Sequence, residues 1–328
     1  MKSDDLFNYA LVNPQKAGAN RLCVVSGYAT SAMVSYHLDK LEAHKKKADL
    51  KIHLVVGMCG SDGLPMSYHR GFQKLVQEDY SDLFECSYIY RSAPIHSKLY
   101  VWFRDNDPVL SFAGSANYTQ TGFGKRQREV LAECDAALAA KYFNSVLDDS
   151  IYCTHADVEN LIRIYSDEQY FKRERKHIES VEALQAEPDA LEETSFPCVR
   201  NSLLDRWGRV APRSGLNWGQ RPELHREPNQ AYIPIKSSIY NTDFFPTRNS
   251  WFALGTDDNI TFLCKVSQDN GKAVGTPQSN SQFGEYFRRR LGVPTGKLIT
   301  REHLENYGRT DVVFCKLDEE HYTMDFSV

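Results

Sequence analysis

The sequence predicts two domains of different class, an α/β domain followed by an all-β domain. In the first half, nearly continuous apolar strands such as 21–28 and 51–58 alternate with segments of helical periodicity. This alternation is typical of a sheet covered on both faces. From Phe196 onward, the sequence instead predicts short strands of alternating polarity separated by turns. This pattern is typical of a small barrel or sandwich. A chain of 328 residues is long enough for two separate cores.

The boundaries follow from changes in composition along the chain. We expect a first domain over residues 1–156, a helical linker over 157–194 and a second domain over 195–328. The linker is acidic and favours helix, and it contains too little Gly and Ser to be a flexible coil. In the first domain the expected order is strand 21–28, helix 31–45, strand 51–58, helix 67–77, strand 84–90, hairpin 95–113, strand 129–134 and helix 136–147. In the second, the expected strands are 231–235, 251–254, 260–266 and 310–316, with a helix over 283–291.

Charge and cysteine usage restrict the environment of the protein. The net charge is -4, but residues 195–328 carry 17 Lys and Arg against 15 Asp and Glu, so the second domain is mildly basic. The eight cysteines form no Cys-x-x-Cys pair and most lie in apolar runs. They predict buried free thiols in a reducing compartment. No signal peptide opens the chain and no apolar run approaches the ~18 residues of a membrane span. We therefore expect a cytoplasmic protein.

One hairpin in the first domain concentrates polar side chains that suit phosphate chemistry. His96 and Lys98 are two residues apart in a predicted strand over 95–103, so they share a face. After a polar turn and a second strand, Ser115 and Asn117 return to the point where His96 emerges. Each residue alone has an ordinary structural interpretation, a bonded histidine, a surface lysine or a turn. Their combination at short spacing predicts a site about the size of a phosphate.

This hairpin resembles the motif of the phospholipase D superfamily, His-x-Lys, four residues, Asp, then Gly-Ser-x-Asn. The matching residues are His96, Lys98, Gly114, Ser115 and Asn117. Phe103 occupies the Asp slot, and the nearest carboxylate is Asp105. Glu129 matches the carboxylate that follows the motif in the nuclease branch, and a solvent-facing strand carboxylate is its alternative interpretation.

The second domain resembles the C-terminal domain of the NgoFVII-like restriction endonucleases, a B3-like pseudobarrel that reads DNA with two arms. The likeness lies in loop 213–221 and the following segment 227–235. Arg, Asn and Gln side chains in this loop and in loop 268–282 match the edges of guanine and adenine. Two mobile surface loops are the alternative. The residues expected to contact DNA are Arg213, Asn217, Trp218, Gln220, Arg221, Lys272, Gln278 and Asn280.

The two resemblances together imply a restriction endonuclease that joins a phospholipase D-like domain to a B3-like domain. Phospholipase D-type sites use two His-Lys motifs, whereas no second His-x-Lys of this chain stands in strand context. Either the protein is inactive or two chains donate one motif each, and we expect a homodimer with a composite site. His96 would form a covalent phosphohistidine, and Lys98, Ser115 and Asn117 would hold the non-bridging phosphate oxygens. Glu129 would hydrogen-bond the other ring nitrogen of His96. No cofactor and no metal are expected, since no clustered carboxylates stand out. Implied partners are double-stranded DNA and a cognate methyltransferase, and the sequence leaves open whether a helper ATPase is required.

Two other functions remain open at the level of sequence. The chain could be a DNA-binding regulator with a degenerate nuclease domain. The replacement of the motif Asp by Phe103 is consistent with this interpretation. A phospholipase D-type lipid phosphodiesterase is the other alternative. It would need an interfacial apolar surface, and no amphipathic membrane helix is evident.

Overall fold

The computed structural model describes residues 1–41, 50–124, 127–173, 196–267 and 271–328. It divides into two compact units, Met1–Ser166 and Asp167–Val328. Each unit contains a seven-stranded sheet. Of the predicted linker 157–194, most lies outside the described residues. Within the described part, Val158–Leu161 is helical and Ile164–Tyr165 is a short strand.

The first sheet is mixed, with strand order β7-β6-β5-β1-β2-β4-β8. Its central pairs β1–β2 and β2–β4 are parallel, and the others are antiparallel. A small separate sheet pairs β3 with β9. The strands of this unit are β1 Arg21–Ser26, β2 Lys51–Val56, β3 Leu64–Pro65, β4 Phe84–Ile89, β5 Lys98–Arg104, β6 Asp107–Gly114, β7 Leu131–Glu133, β8 Ser150–Tyr152 and β9 Ile164–Tyr165. The α-helices are α1 Asn13–Lys16, α2 Ser31–Lys40, α3 Cys59–Asp62, α4 Met66–Lys74, α5 Ala136–Leu147 and α6 Val158–Leu161.

The central strands are apolar on both sides because both faces of the sheet are covered, as the sequence predicts. On one face, Leu99, Val101 and Phe103 of β5 pack with the buried side of α5. On the other face, Tyr100 and Trp102 are fully buried. The indole Nε1 of Trp102 donates a hydrogen bond to the carbonyl of Ala10 at 2.7 Å. The N-terminal segment is thereby fixed beneath the hairpin.

A buried histidine supports the loop that follows the hairpin. The His37 ring lies between the carbonyl of Leu11, 3.1 Å from Nε2, and the hydroxyl of Tyr118, 2.8 Å from Nδ1. Nε2 therefore donates to the carbonyl, and Nδ1 accepts from the tyrosine. Burial lowers the pKa of His37 to about 4, so the ring is neutral at physiological pH. This histidine has a structural role.

The second sheet has the order β10-β15-β16-β12-β13-β14-β11. Aromatic and aliphatic side chains of its strands and of the longest helix form one core. Its strands are β10 Cys198–Ser202, β11 Ile233–Pro234, β12 Trp251–Thr256, β13 Thr261–Ser267, β14 Ala273–Gly275, β15 Asp311–Lys316 and β16 His321–Asp325. The α-helices are α7 Ser237–Tyr240, α8 Gln282–Leu291 and α9 Arg301–Tyr307.

The cysteines differ from the prediction of buried free thiols in three places. Cys198 of β10 and Cys315 of β15 face each other in the antiparallel register and form a disulfide. Cys134 is a free thiol but is exposed. The prediction failed for the bridged pair because their proximity arises from pairing of strands 117 residues apart, which spacing in the sequence does not reveal. Within the described ranges, no helix is long and apolar enough to cross a membrane.

Candidate active site and nucleic-acid interface

The topology of four neighbouring strands brings the predicted site residues to one edge of the first sheet. β5 runs antiparallel to β1, so β5 begins where β1 ends. β6 returns to the same edge, where Gly114 pairs with Lys98, and β7 begins beside Gly114. His96, Ser115 and Glu129 lie just outside these strands at that edge. The convergence predicted from spacing is therefore explained by strand direction, although His96 precedes the strand instead of lying within it.

Lys98 and His96 form a close pair. The Lys98 Nζ donates to the backbone carbonyl of His96 at 2.6 Å and lies 3.0 and 3.1 Å from the two ring nitrogens. Because these two distances are nearly equal, the ammonium is aligned with neither ring lone pair. Lys98 is buried, at 5% exposure, whereas His96 is exposed. The imidazole can therefore meet a ligand while the cation stays fixed behind it.

Two glycines allow the backbone before His96 to approach the ends of β1 and β2. A Cβ at Gly57 would lie 2.0 Å from the carbonyl oxygen of Ile95, a distance no side chain can adopt. A Cβ at Gly27 would lie 3.2 Å from the His96 ring and 3.4 Å from the Lys98 Nζ. Glycine at these positions therefore leaves room for the His-Lys pair.

Burial and a nearby carboxylate act in opposite directions on Lys98. Burial lowers the pKa of the Lys98 ammonium because it disfavours the charged form, and the negative charge of Glu129 raises that pKa by a smaller amount. Glu129 is thus close enough to stabilise the lysine electrostatically. Its hydrogen bond, however, comes from the Ser115 hydroxyl, and the Val130 N–H donates to the same hydroxyl at 3.0 Å.

These contacts alter two expected roles. The predicted hydrogen bond between the ring of His96 and Glu129 is not formed in the structure, in which the carboxylate accepts from Ser115. Because the single hydroxyl proton of Ser115 is donated to Glu129, this serine positions the carboxylate. A direct contact of Ser115 with a phosphate would require it to exchange this partner.

Asn117 is positioned by residues that follow β1. Its Oδ1 accepts from the Tyr28 N–H at 3.1 Å, which identifies the oxygen of the side-chain amide. The Ser26 hydroxyl accepts from the Tyr118 N–H at 2.9 Å and fixes the same loop. The Nδ2 group supplies N–H donors of the kind that bind a phosphate oxygen.

Residues 26–28 form a part of the site that the motif did not predict. The Tyr28 ring meets the His96 ring edge to face, with centroids 6.0 Å apart. Its hydroxyl donates to Asp62 at 2.7 Å. The glycine at the end of an apolar strand was the available sequence signal, since such a glycine often marks a close backbone approach.

The slot where the motif has Asp lies at the far end of the hairpin. Phe103 pairs with Arg21 at the start of β1, whereas Leu99 pairs with Val25 near its end. With a rise of about 3.3 Å per residue, Phe103 is roughly 16 Å along the strand from Lys98. Its ring packs under the Arg21 guanidinium, 4.0 Å from the centroid. Asp105 lies in the turn with φ of 55° and bonds Asn20. Neither residue is positioned to join the chemistry.

The expected DNA-contacting residues of the second unit differ widely in accessibility. Arg213 is exposed and paired with Glu223. The half-buried Arg221 donates through Nε to the carbonyl of Arg213 at 2.7 Å. Trp218 is half-buried between Tyr232, in edge contact, and the guanidinium of Arg226, 4.0 Å from its centroid. These three side chains reach the surface of loop 213–221.

Asn217 and Gln220 instead support this loop through hydrogen bonds, Asn217 from the interior and Gln220 from a half-buried position. Asn217 is fully buried and exchanges hydrogen bonds of 2.8 and 2.9 Å with the backbone of Ile299. The structure does not support a base contact by Asn217, because its amide is inaccessible and already bonded. The Gln220 amide donates to the carbonyls of Pro228 and Gly296, both at 3.0 Å.

A buried arginine completes this support. Arg288 of α8 is 1% exposed and donates to the carbonyls of Lys297, at 2.7 Å, and Gly284, at 3.0 Å. Burial lowers the pKa of its guanidinium, and the charge of Glu227 opposes that shift. Arg288 therefore stabilises the interior of the domain by bonding these backbone carbonyls.

The second predicted arm is only partly a surface loop, because residues 273–275 form the buried strand β14. Lys272 and Asn280 are exposed and Gln278 is half-buried. The Asn280 carbonyl accepts from the Ala231 N–H at 2.8 Å, which joins this arm to the segment after loop 213–221. Residues 268–270 of the predicted loop lie outside the described part of the chain.

Comparison with protein-family models shows to which family the two units belong. Residues 4–160 match the NgoFVII restriction endonuclease N-terminal PLD domain, and residues 191–318 match the NgoFVII C-terminal B3-like DNA-binding domain. This chain belongs to the NgoFVII restriction endonuclease family. The fold class predicted from the sequence, a phospholipase D-like domain followed by a B3-like domain, is confirmed. The family also establishes the protein as a DNA phosphodiesterase with a DNA-binding domain.

Solved structures show only distant likeness. NucT from Helicobacter pylori is 13% identical, with a TM-score of 0.31, over 44% of this chain and 89% of NucT. Polyphosphate kinase from Porphyromonas gingivalis is 11% identical, with a TM-score of 0.28, over 55% of this chain and 26% of the kinase. The chain thus spans about a quarter of that kinase. A search of curated proteins found no match.

Across residues 1–41, 50–124, 127–173, 196–267 and 271–328, no group of three or more His, Cys, Asp or Glu side chains is arranged to hold a metal ion.

The opposing effects on Lys98 give a test of the site. Glu129→Gln removes the charge that raises the Lys98 pKa, so the ammonium should lose its proton at lower pH. The alkaline limb of the kcat/KM profile for DNA cleavage should move to lower pH. Glu133→Gln removes an equal charge from the nearby β7 and should leave the limb in place. An unmoved limb in Glu129→Gln would contradict this electrostatic coupling.

Proposed function

We propose that this protein is a sequence-specific restriction endonuclease that cleaves DNA through a covalent phosphohistidine, without a metal ion, at one site shared by two subunits. The observation that carries the proposal is the pairing of exposed His96 with the buried ammonium of Lys98. Such a pair offers a nucleophile and a fixed cation at one point.

The chemistry requires two imidazoles in different protonation states. A ring nitrogen of one His96 attacks phosphorus while the bond to the leaving oxygen breaks, and the second His96 protonates that oxygen. The second imidazole then takes a proton from water, which attacks phosphorus and releases the first histidine. Lys98 and Asn117 stabilise the non-bridging oxygens as charge develops. Glu129, held by Ser115, keeps Lys98 protonated.

The surface beside His96 supports association with a second copy. Leu138 and Tyr142 lie one turn apart on α5, with exposures of 69% and 42%. The Tyr142 hydroxyl is 3.1 Å from the Ser97 hydroxyl, so this apolar pair adjoins the catalytic histidine. Burying it against its copy about a two-fold axis would bring the two histidines together.

The second unit supplies the sequence preference in this proposal. Arg213, Trp218 and Arg221 of the first arm, and Lys272, Gln278 and Asn280 of the second, are proposed to contact DNA. Asn217 and Gln220 hold the first arm in shape. A cognate methyltransferase would protect host DNA, a helper ATPase would be an additional partner, and the cytoplasm is the proposed site of action.

Loss of the nucleophile tests the reaction. We expect the intact protein to cleave plasmid DNA in EDTA, and His96→Ala to reduce cleavage by at least about a thousandfold while DNA binding is retained. Acid-labile, alkali-stable labelling of the protein by end-labelled DNA would identify the phosphohistidine. His155→Ala, which removes another exposed histidine of the same unit, is the control. Undiminished cleavage by His96→Ala would refute the assignment.

A charge placed beside His96 tests the shared site. Leu138→Glu should yield monomers in sedimentation velocity and abolish cleavage, because each half-site lacks its second imidazole, while DNA binding remains. Val109→Glu is the matched control, since Val109 is also an exposed apolar residue, at 43%, but lies at the opposite end of the hairpin. Full cleavage by a monomeric variant would exclude the composite site.

The first arm is tested by mapping cleavage positions. Arg221→Ala should relax the choice of site while nonspecific cleavage persists, because a bidentate base contact supplies about 1–3 kcal/mol of discrimination. Fragments from a digested plasmid provide the measurement. Arg200→Ala, which removes an arginine paired with Asp311 at 3.0 Å, is the control. Loss of the chemical step with unchanged site choice would contradict this division of roles.

A further inference from the structure

We infer that a basic turn around Trp207, outside both predicted arms, is a further DNA contact that binds the sugar-phosphate backbone. The inference rests on the proposed function of the second unit as a DNA reader. The turn comprises residues 205–209. It lies between β10 and loop 213–221.

Trp207 is unusual because it exposes a large aromatic ring with a charge beside it. Its side chain is 63% exposed. The guanidinium carbons of Arg206 and Arg209 lie 4.1 and 5.0 Å from the indole centroid. Cation–π contact holds both guanidiniums near one ring and limits their rotamer freedom. Exposed aromatic and arginine side chains of this kind are typical of nucleic-acid surfaces.

The turn is fixed in shape before any ligand arrives. The Asp205 carboxylate accepts from the backbone N–H groups of Trp207 at 2.9 Å and Arg209 at 3.0 Å. These N–H bonds lower the pKa of Asp205, so it remains ionised. Asp205 also pairs with the Arg209 guanidinium at 3.3 Å, whereas Arg206 contacts the indole. Arg206 is therefore the side chain whose charge is best placed for a phosphate.

Hydrogen bonds of two neighbouring residues connect this turn with the first arm. Arg301, at the start of α9, donates to the carbonyl of Gly208 at 3.0 Å. Two residues earlier, Ile299 bonds the buried amide of Asn217 inside the arm. The turn is thus continuous with the surface proposed to read bases. Duplex DNA is the occupant that this continuity and the two guanidiniums favour.

A backbone contact has a signature that a base contact lacks. It weakens binding equally for all sequences, and loss of one phosphate contact lowers the slope of log K against log salt by about 1. Removal of Arg206 should therefore act on mixed-sequence DNA as strongly as on cleavable DNA. Removal of Trp207 should act in the same direction, because it frees both guanidiniums.

The experiment measures binding of a fluorescent mixed-sequence duplex over a range of salt, in full-length His96→Ala protein so that the DNA stays intact. Arg206→Ala should weaken binding by about threefold to tenfold and reduce the salt slope by about 1. Trp207→Ala should do the same or more, and Trp207→Phe should stay within about twofold of the parent. Arg200→Ala removes an arginine already paired with Asp311 and should not change the slope.

The outcomes separate this inference from the proposed function. If the parent protein binds no duplex, both fail. If it binds but Arg206→Ala and Trp207→Ala keep its affinity and slope, the turn is not a DNA contact and the proposed function stands. A change in subunit association without a change in slope would also overturn the inference, since it would indicate a protein interface. Should Trp207→Ala unfold, the exposed Arg206 alone decides.

Discussion

The burial of one ammonium group organises the candidate active site. Lys98 is the first residue of β5, and its side chain turns back onto the carbonyl and the ring of His96. Placing a cation at 5% exposure is costly unless it is bonded. The carbonyl, the nearby Glu129 charge and the close approach at Gly27 together make the arrangement possible. The position of the exposed histidine therefore depends on the lysine behind it.

Much of this site could be predicted because strand direction is encoded locally. The alternation of His96 and Lys98, the polar turn and the return of the chain at Ser115 determine a hairpin whose ends meet. The roles of individual residues within the site were harder to predict from the sequence. Whether Ser115 faces a phosphate or Glu129 depends on pairing between β6 and Val130, which the hairpin sequence does not contain. The contribution of residues 26–28 depends on strand order, and that also lies outside the motif.

In the second unit, composition could not separate surface amides from internal ones. Asn217 and Arg221 are both polar residues of one irregular loop, yet the first is fully buried and the second reaches the surface. A loop without regular structure must satisfy its backbone groups through side chains, and short amides do so well. Polar residues of this loop therefore divide between those that support its backbone and those that reach the surface. The disulfide was missed for a related reason, since it joins strands that meet only in the folded domain.

The ring at position 103 shows what the missing acid of the hairpin motif means in this protein. Phe103 lies beneath the Arg21 guanidinium, roughly five residues of extended chain from the lysine. Attraction between a planar cation and a π face takes the place of a salt bridge there. The slot thus belongs to the scaffold of the hairpin, where Phe103 packs against Arg21. A search that demands aspartate at this slot would discard a hairpin that keeps His96 and Lys98 together, because of a difference at its far end.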